Sequence, residues 1–178
     1  MTLDDALKEG RLERDAALTL FDSLPTVDLA FMRGTWKGFE LRTGHPMDGM
    51  LSATGWYGKQ FLDEERVHPL IFFTGDRASV FPVNPRKWPS PTIRGPVGPH
   101  RAEVETEQFK ARLRMTEYRG KLSATMIYDD WPTLDVFRKA DGNTLLGVMD
   151  ARGMAVPYFF VLRRDAEAPT VQAGAAGT

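Results

Sequence analysis

The 178-residue sequence contains no cysteine. That excludes disulfides, thiolate metal sites and a cysteine nucleophile, and it suits a reducing compartment. Histidine is scarce: only His45, His68 and His100 occur. No pair of them has metal-ligand spacing and no H-E-x-x-H is present, so a zinc centre is not expected. There is no excess of one charge. Against 24 Asp and Glu stand 23 Lys and Arg, a formal net charge of −1. The bulk electrostatic footprint of a nucleic-acid binder is therefore missing. No apolar run approaches the ~20 residues that a spanning helix needs. The opening "MTLDDALKEG" is acidic and lacks the apolar core of a signal peptide. The expectation is a cytoplasmic protein without a membrane span, with transient membrane contact left open.

What is present is the composition of a globular chain, 42% hydrophobic and 26% charged. The length favours a single domain, expected over residues 1–165. Residues 166–178 lack large apolar side chains and are expected to be a disordered tail. Residues 2–22 carry Leu12, Ala16, Ala17, Leu20 and Phe21 at helical spacing, with Thr2 as a cap and Gly10 as an interruption. A second short helix is expected within Val27–Met32.

From Gly34 onward the pattern changes to strands and turns. "TWKGFEL", "MLSATGW", "HPLIFF" and "ASVFPV" read as strands, and "GKQFLDEE" as a helical turn or bend. Residues 84–100, "NPRKWPSPTIRGPVGPH", hold too many prolines and glycines for regular structure; such a loop is usually functional or disordered. "KARLRMTEYRGKLSATMIYDD" contains two strands. A tight turn at Arg119-Gly120 pairs Tyr118 with Lys121, Thr116 with Ser123 and Arg114 with Thr125. On the other face Glu117 meets Leu122, Met115 meets Ala124 and Leu113 meets Met126, which leaves one polar and one mostly apolar face. Further turns at "ADGN" and "ARGM" complete an antiparallel meander. Closure of such a meander is the natural way to bury its edges.

The run "FDSLPTVDLAFMRGTWKGFELRTGHPMDGMLSATGWYGKQF", continued by "VHPL" and Asn84-Pro85, resembles the GXWXG family of mostly uncharacterised bacterial proteins. "KARLRMTEYRGKLSATMIYDDWPTLDVFRK", with "GVMD" and "LRR", resembles the domain of unknown function that usually follows it. The likeness spans roughly residues 20–164. It implies a mainly β fold, a single antiparallel calycin-like β-barrel with an N-terminal helix and short helical turns, and it implies no assigned reaction. "AFMRGTWKGFEL" is also similar to the opening strand of fatty-acid-binding proteins and lipocalins, where the tryptophan closes the base of a barrel around a hydrophobic ligand.

Gly34, Trp36 and Gly38 share one strand face, and the glycines let another element cross close by. Trp36 is read as a plug at a barrel end, with ligand contact as the alternative. His45 and Asp48 can hydrogen-bond across a turn, half of a base-and-orienter arrangement, or can simply stabilise it. Asp129 and Asp130 point oppositely in an extended chain and read as a turn. Lys110, Arg112, Arg114 and Tyr118 form a stripe read as solvated. The opposite face, with Leu113, Met115, Met126 and Tyr128, is expected to line the interior together with Phe137 and Met149; methionine adapts to irregular cavity walls. Trp56, Lys59 and His45 are placed near the entrance. The function expected is a binding protein for a small hydrophobic molecule such as a lipid or fatty acid. The alternatives are a haem-binding or enzymatic barrel using His45 or His68, and a solid barrel that docks a protein partner. No cofactor is assigned and the oligomeric state is left open.

Overall fold

Turn chemistry and two-sided burial build this chain. The computed structural model describes residues 2–171. The expected helix over 2–22 is two helices, α1 (Leu3–Glu9) and α2 (Arg14–Ser23). Thr2 and Asp5 form a reciprocal capping box, and Gly10 stops α1 with φ of 69°, a left-handed cap that glycine adopts without strain. A third helix, α3 (Leu29–Met32), is capped by Asp28.

Among the described residues nine strands follow: β1 (Gly34–Glu40), β2 (Trp56–Phe61), β3 (Val67–Phe73), β4 (Val80–Pro82), β5 (Ala111–Tyr118), β6 (Lys121–Tyr128), β7 (Thr133–Lys139), β8 (Thr144–Ala151) and β9 (Tyr158–Arg164). They form one antiparallel sheet in the order β2-β1-β9-β8-β7-β6-β5-β3-β4. An additional β2–β3 pairing closes a ring of hydrogen bonds, with β4 attached outside it on β3. The β5–β6 hairpin has the register that its turn dictates, Tyr118 opposite Lys121 through Leu113 opposite Met126.

Alternation sorts the strand residues into two cores. Leu145 and Met149 of β8 and Tyr158, Phe160 and Leu162 of β9 face the interior. Leu146, Val148, Phe159 and Val161 face outward, where Leu3, Ala17, Leu20 and Phe21 of α1 and α2 cover them. Burial on both faces explains why these strands read as nearly continuous apolar runs. At one end the chain before α3 crosses the ring. Val27 N donates to Ser123 Oγ, and Ala124 N donates to Val27 O.

Two readings around α4 and β2 need correction. "MLSATGW" is not one strand: Met50–Thr54 is a short helix, α4, and only after Gly55 does β2 begin. "GKQF" is therefore strand rather than helical turn or bend. The long loop 84–100, for which function and disorder were the two readings, is ordered and packed. Trp88, Ile93 and Val97 are buried in the interior core, and a single 3-10 turn and the short helix α5 (Arg101–Val104) end it. In the C-terminal segment, Ala168 and Val171 pack against Tyr57, Ile71 and Val80 outside β2–β4. The remainder of the expected tail, residues 172–178, lies outside the described residues.

Candidate functional site

The glycines of "GTWKG" make room for side chains from other strands. A Cβ on Gly38 would lie 2.0 Å from the Trp56 ring. Gly147 does the same for Phe160, whose ring would lie 2.5 Å from an added Cβ. Both rings turn inward, edge to face at 6.0 Å. At Gly58 the β2–β3 register shifts. This bulge breaks strict alternation, so Trp56 and Lys59 face the same interior while Tyr57 faces out.

The result is a cavity of about 140 Å³ inside the ring. Its walls are mostly aromatic and methionine side chains: Trp56, Trp88, Tyr128, Trp131, Met149 and Phe160 among them. Half-buried Met47, Met50 and Trp131 and exposed Pro89 mark its mouth. Glu40 holds α4 over this region, accepting from Leu51 N, from Ser52 Oγ and from the Tyr158 hydroxyl.

A buried ion pair sits in this apolar wall. Lys59 Nζ lies 2.7 Å from Asp135 Oδ2, with side-chain exposures of 3% and 1%. The ammonium also donates to Pro69 O at 3.0 Å and to the Tyr128 hydroxyl at 3.4 Å. Its three donors are thus used. The rings of Trp56, Tyr128 and Phe160 surround it at 5.7, 5.5 and 5.2 Å. Burial pushes the lysine down and the aspartic acid up, and their mutual attraction opposes both shifts. Burial, then the Asp135 charge, pushes the Tyr128 phenol far up, so it stays protonated. Two buried groups here have no hydrogen-bond partner among the described residues, Asp135 Oδ1 and Trp56 Nε1.

Of the residues picked from sequence, Trp56, Lys59, Tyr128 and Met149 line the cavity. Leu113, Met126 and Phe137 are buried in the interior core but do not reach it. Trp36 is wholly buried under α3, its indole donating to Met32 O at 2.7 Å, with Arg164 stacked on it at 4.2 Å. Met115 is a correction. It stands 37% exposed, in the part of the hairpin beyond the chain crossing at Ser123 and Ala124, where Leu122 is exposed as well.

Of the two readings of the His45–Asp48 pair, the structure shows the stabilised turn. Asp48 Oδ2 accepts the backbone amides of Thr43, Gly44 and His45 rather than the imidazole. His45 Nδ1 accepts from Met47 N, which puts a neutral ring's proton on Nε2, and the ring packs on Tyr158 rather than on the cavity. His68 is buried against Phe109 and is likewise absent from the cavity wall. Haem ligation in the cavity by either histidine has no geometric support. No cluster of metal-ligating side chains occurs among the described residues. Asp129 and Asp130 diverge as expected, toward Arg112 and toward Arg86 with Lys110. No helix among the described residues is long and apolar enough to cross a membrane.

Asp135 was missed from sequence, as were Trp88 and Phe160. The available signal for Asp135 was alternation: in "TLDVFRK" it shares a face with Thr133 and Phe137, an acid on an otherwise apolar side. Trp88 gave no such signal, because a loop has no period.

Among known proteins, a crystal structure of a protein from Thermomonospora curvata is 32% identical, with a TM-score of 0.71 over 92% of this chain and 95% of that one. No functionally curated protein is significantly similar. Residues 19–76 match the model of the GXWXG protein, and residues 109–164 match a domain of unknown function, DUF4334. The cavity draws on both segments, Trp56 and Lys59 from the first and Tyr128, Asp135, Met149 and Phe160 from the second. The chain belongs to the GXWXG protein family, its GXWXG segment followed by the DUF4334 domain.

Proposed function

We propose that this chain is a calycin-like β-barrel that binds a small hydrophobic molecule in its interior. The observation that carries the reading is the cavity itself. About 140 Å³ of space is walled by aromatic and methionine side chains, and its mouth is edged by adaptable methionines. An engineered apolar cavity of about 150 Å³ holds benzene in another protein, which sets the scale. A single ring or a short branched chain fits without rearrangement. A long-chain fatty acid or other lipid needs the mouth at Met47, Met50 and Pro89 to widen.

Organic extraction of the gently purified protein followed by mass spectrometry tests this. A stoichiometric apolar compound is the expected result. Three of the four tryptophans, Trp56, Trp88 and Trp131, line the cavity, so a bound aromatic should also change the intrinsic fluorescence. An empty extract together with unchanged fluorescence across a panel of apolar titrants would overturn the reading.

A further inference from the structure

Three segments edge the cavity mouth, and they are held in different ways. Met47 and Met50 belong to the turn before α4 and to α4 itself. That segment is tied by directed bonds: Asp48 Oδ2 accepts three backbone amides, and Glu40 accepts Leu51 N and Ser52 Oγ. Trp131 lies in the turn between β6 and β7. Its ring stacks on Tyr128 at 5.1 Å, Thr133 N donates to its carbonyl, and Arg152 N donates to Pro132 O. Pro89 belongs to the loop 84–100, which is tied only at its ends. At one end Lys87 N and Trp88 N donate to Asn84 O, and at the other Val97 N donates to Thr54 O at 2.9 Å. Beside Val97, a Cβ on Gly98 would lie 2.7 Å from Phe73 O, so this end is seated against β3.

Between those ends, residues 89–96 make no backbone–backbone hydrogen bond among the described residues. The polar contacts of Ser90 and Thr92 stay within the segment. What holds it down is apolar. Ile93 is buried in the interior core while its neighbours Thr92, Arg94 and Gly95 are exposed, and the preceding Trp88 packs on Phe72 at 4.7 Å. Contacts of this kind are non-directional, and lifting the segment breaks no backbone hydrogen bond, so it belongs to the low-stability end of the structure. Pro89, Pro91 and Pro96 fix φ at three of its eight positions, so it moves as a stiff flap rather than unravelling. Resting on the cavity reading above, we propose that residues 89–96 are the gate of the cavity: they swing between fixed ends at Trp88 and Val97, with Ile93 as the latch, while α4 and the Trp131 turn stay in place.

Ile93 is buried but does not line the cavity, which separates the latch from the wall. Entry and release pass through the same open form. Loosening the latch should therefore raise both rates by one factor and leave their ratio, the affinity, nearly unchanged. Exchange of toluene, measured by relaxation-dispersion NMR, reads both rates. In Ile93→Ala each should rise about tenfold or more, the scale set by truncating a buried isoleucine. Ile93→Val, which removes one methyl group, should move both the same way by less, and it decides the matter if the alanine variant melts well below the wild type. Ser52→Ala removes a tether of α4 and should leave both rates as in the wild type. Unchanged rates in Ile93→Ala and Ile93→Val, or faster exchange in Ser52→Ala alone, overturn the gate and leave the cavity reading standing. A lower affinity in Ile93→Ala at an unchanged entry rate makes Ile93 part of the wall and overturns the gate as well. Failure of toluene to bind the wild type removes the cavity reading and this inference with it.

Discussion

Lys59 and Asp135 are each expensive alone. Taking either charge out of water costs several kcal/mol, recovered only because the partner is 2.7 Å away and the ammonium keeps two further acceptors. Lys59→Met should therefore destabilise the protein by about 3–5 kcal/mol, because it leaves a buried carboxyl unpaired. Adding Asp135→Leu to that variant should restore most of the loss, since an apolar pair of similar volume has no charge to solvate. Urea unfolding of the two variants checks this. A double variant no more stable than the single would mean that the pair is not the reason for the loss.

At the scale of elements, the sequence was most legible where a turn dictates register. The tight turn at Arg119-Gly120 placed every pair of the β5–β6 hairpin, and both strands followed. It failed where local geometry departs from the period. The bulge at Gly58 brings Trp56 and Lys59 to one side, and strict alternation would put them on opposite sides. "MLSATGW" has the apolar content of a strand, yet Gly49 and Gly55, both in left-handed conformations, bracket one helical turn and a half. The role of the glycines in "GTWKG" was half visible. A close crossing was expected, but its partner, Trp56 of β2, is a matter of strand pairing. Gly38→Ala puts a methyl group 2.0 Å from the Trp56 ring. That overpacking should cost about 1–3 kcal/mol. It should also tilt the indole into the cavity and weaken any apolar ligand, to be read by thermal melting and by toluene titration. A variant with unchanged melting and affinity would show that Trp56 does not need the gap.

Across the whole molecule the ring has a weak seam. β7 and β8 pair along their full lengths, whereas β3 meets β5 through the single pair Val67–Ala111. Lys110 N to Val67 O and Leu113 N to Glu64 O extend it slightly. His68 stands next to Val67 at this seam, its ring 4.5 Å from that of Phe109, and its Nδ1 makes no hydrogen bond among the described residues. Burial holds the imidazole down to about 4, from an ordinary value of 6.5. Between those two values the unfolded chain takes up a proton that the folded one refuses. Stability is therefore full above pH 6.5 and falls as the pH drops toward 4. From pH 7.5 to 5.0 the loss from this one group is about 2 kcal/mol. His68→Phe keeps a ring against Phe109 and removes the titration, so the acid loss in urea unfolding should shrink by about that amount relative to wild type. In the wild type the amides of Lys110 and Leu113 should lose exchange protection at pH 5.0 before those of β7 and β8, because opening the seam is what lets His68 reach water. If His68→Phe loses as much stability in acid as the wild type, the carboxylates and not this histidine govern the acid limb.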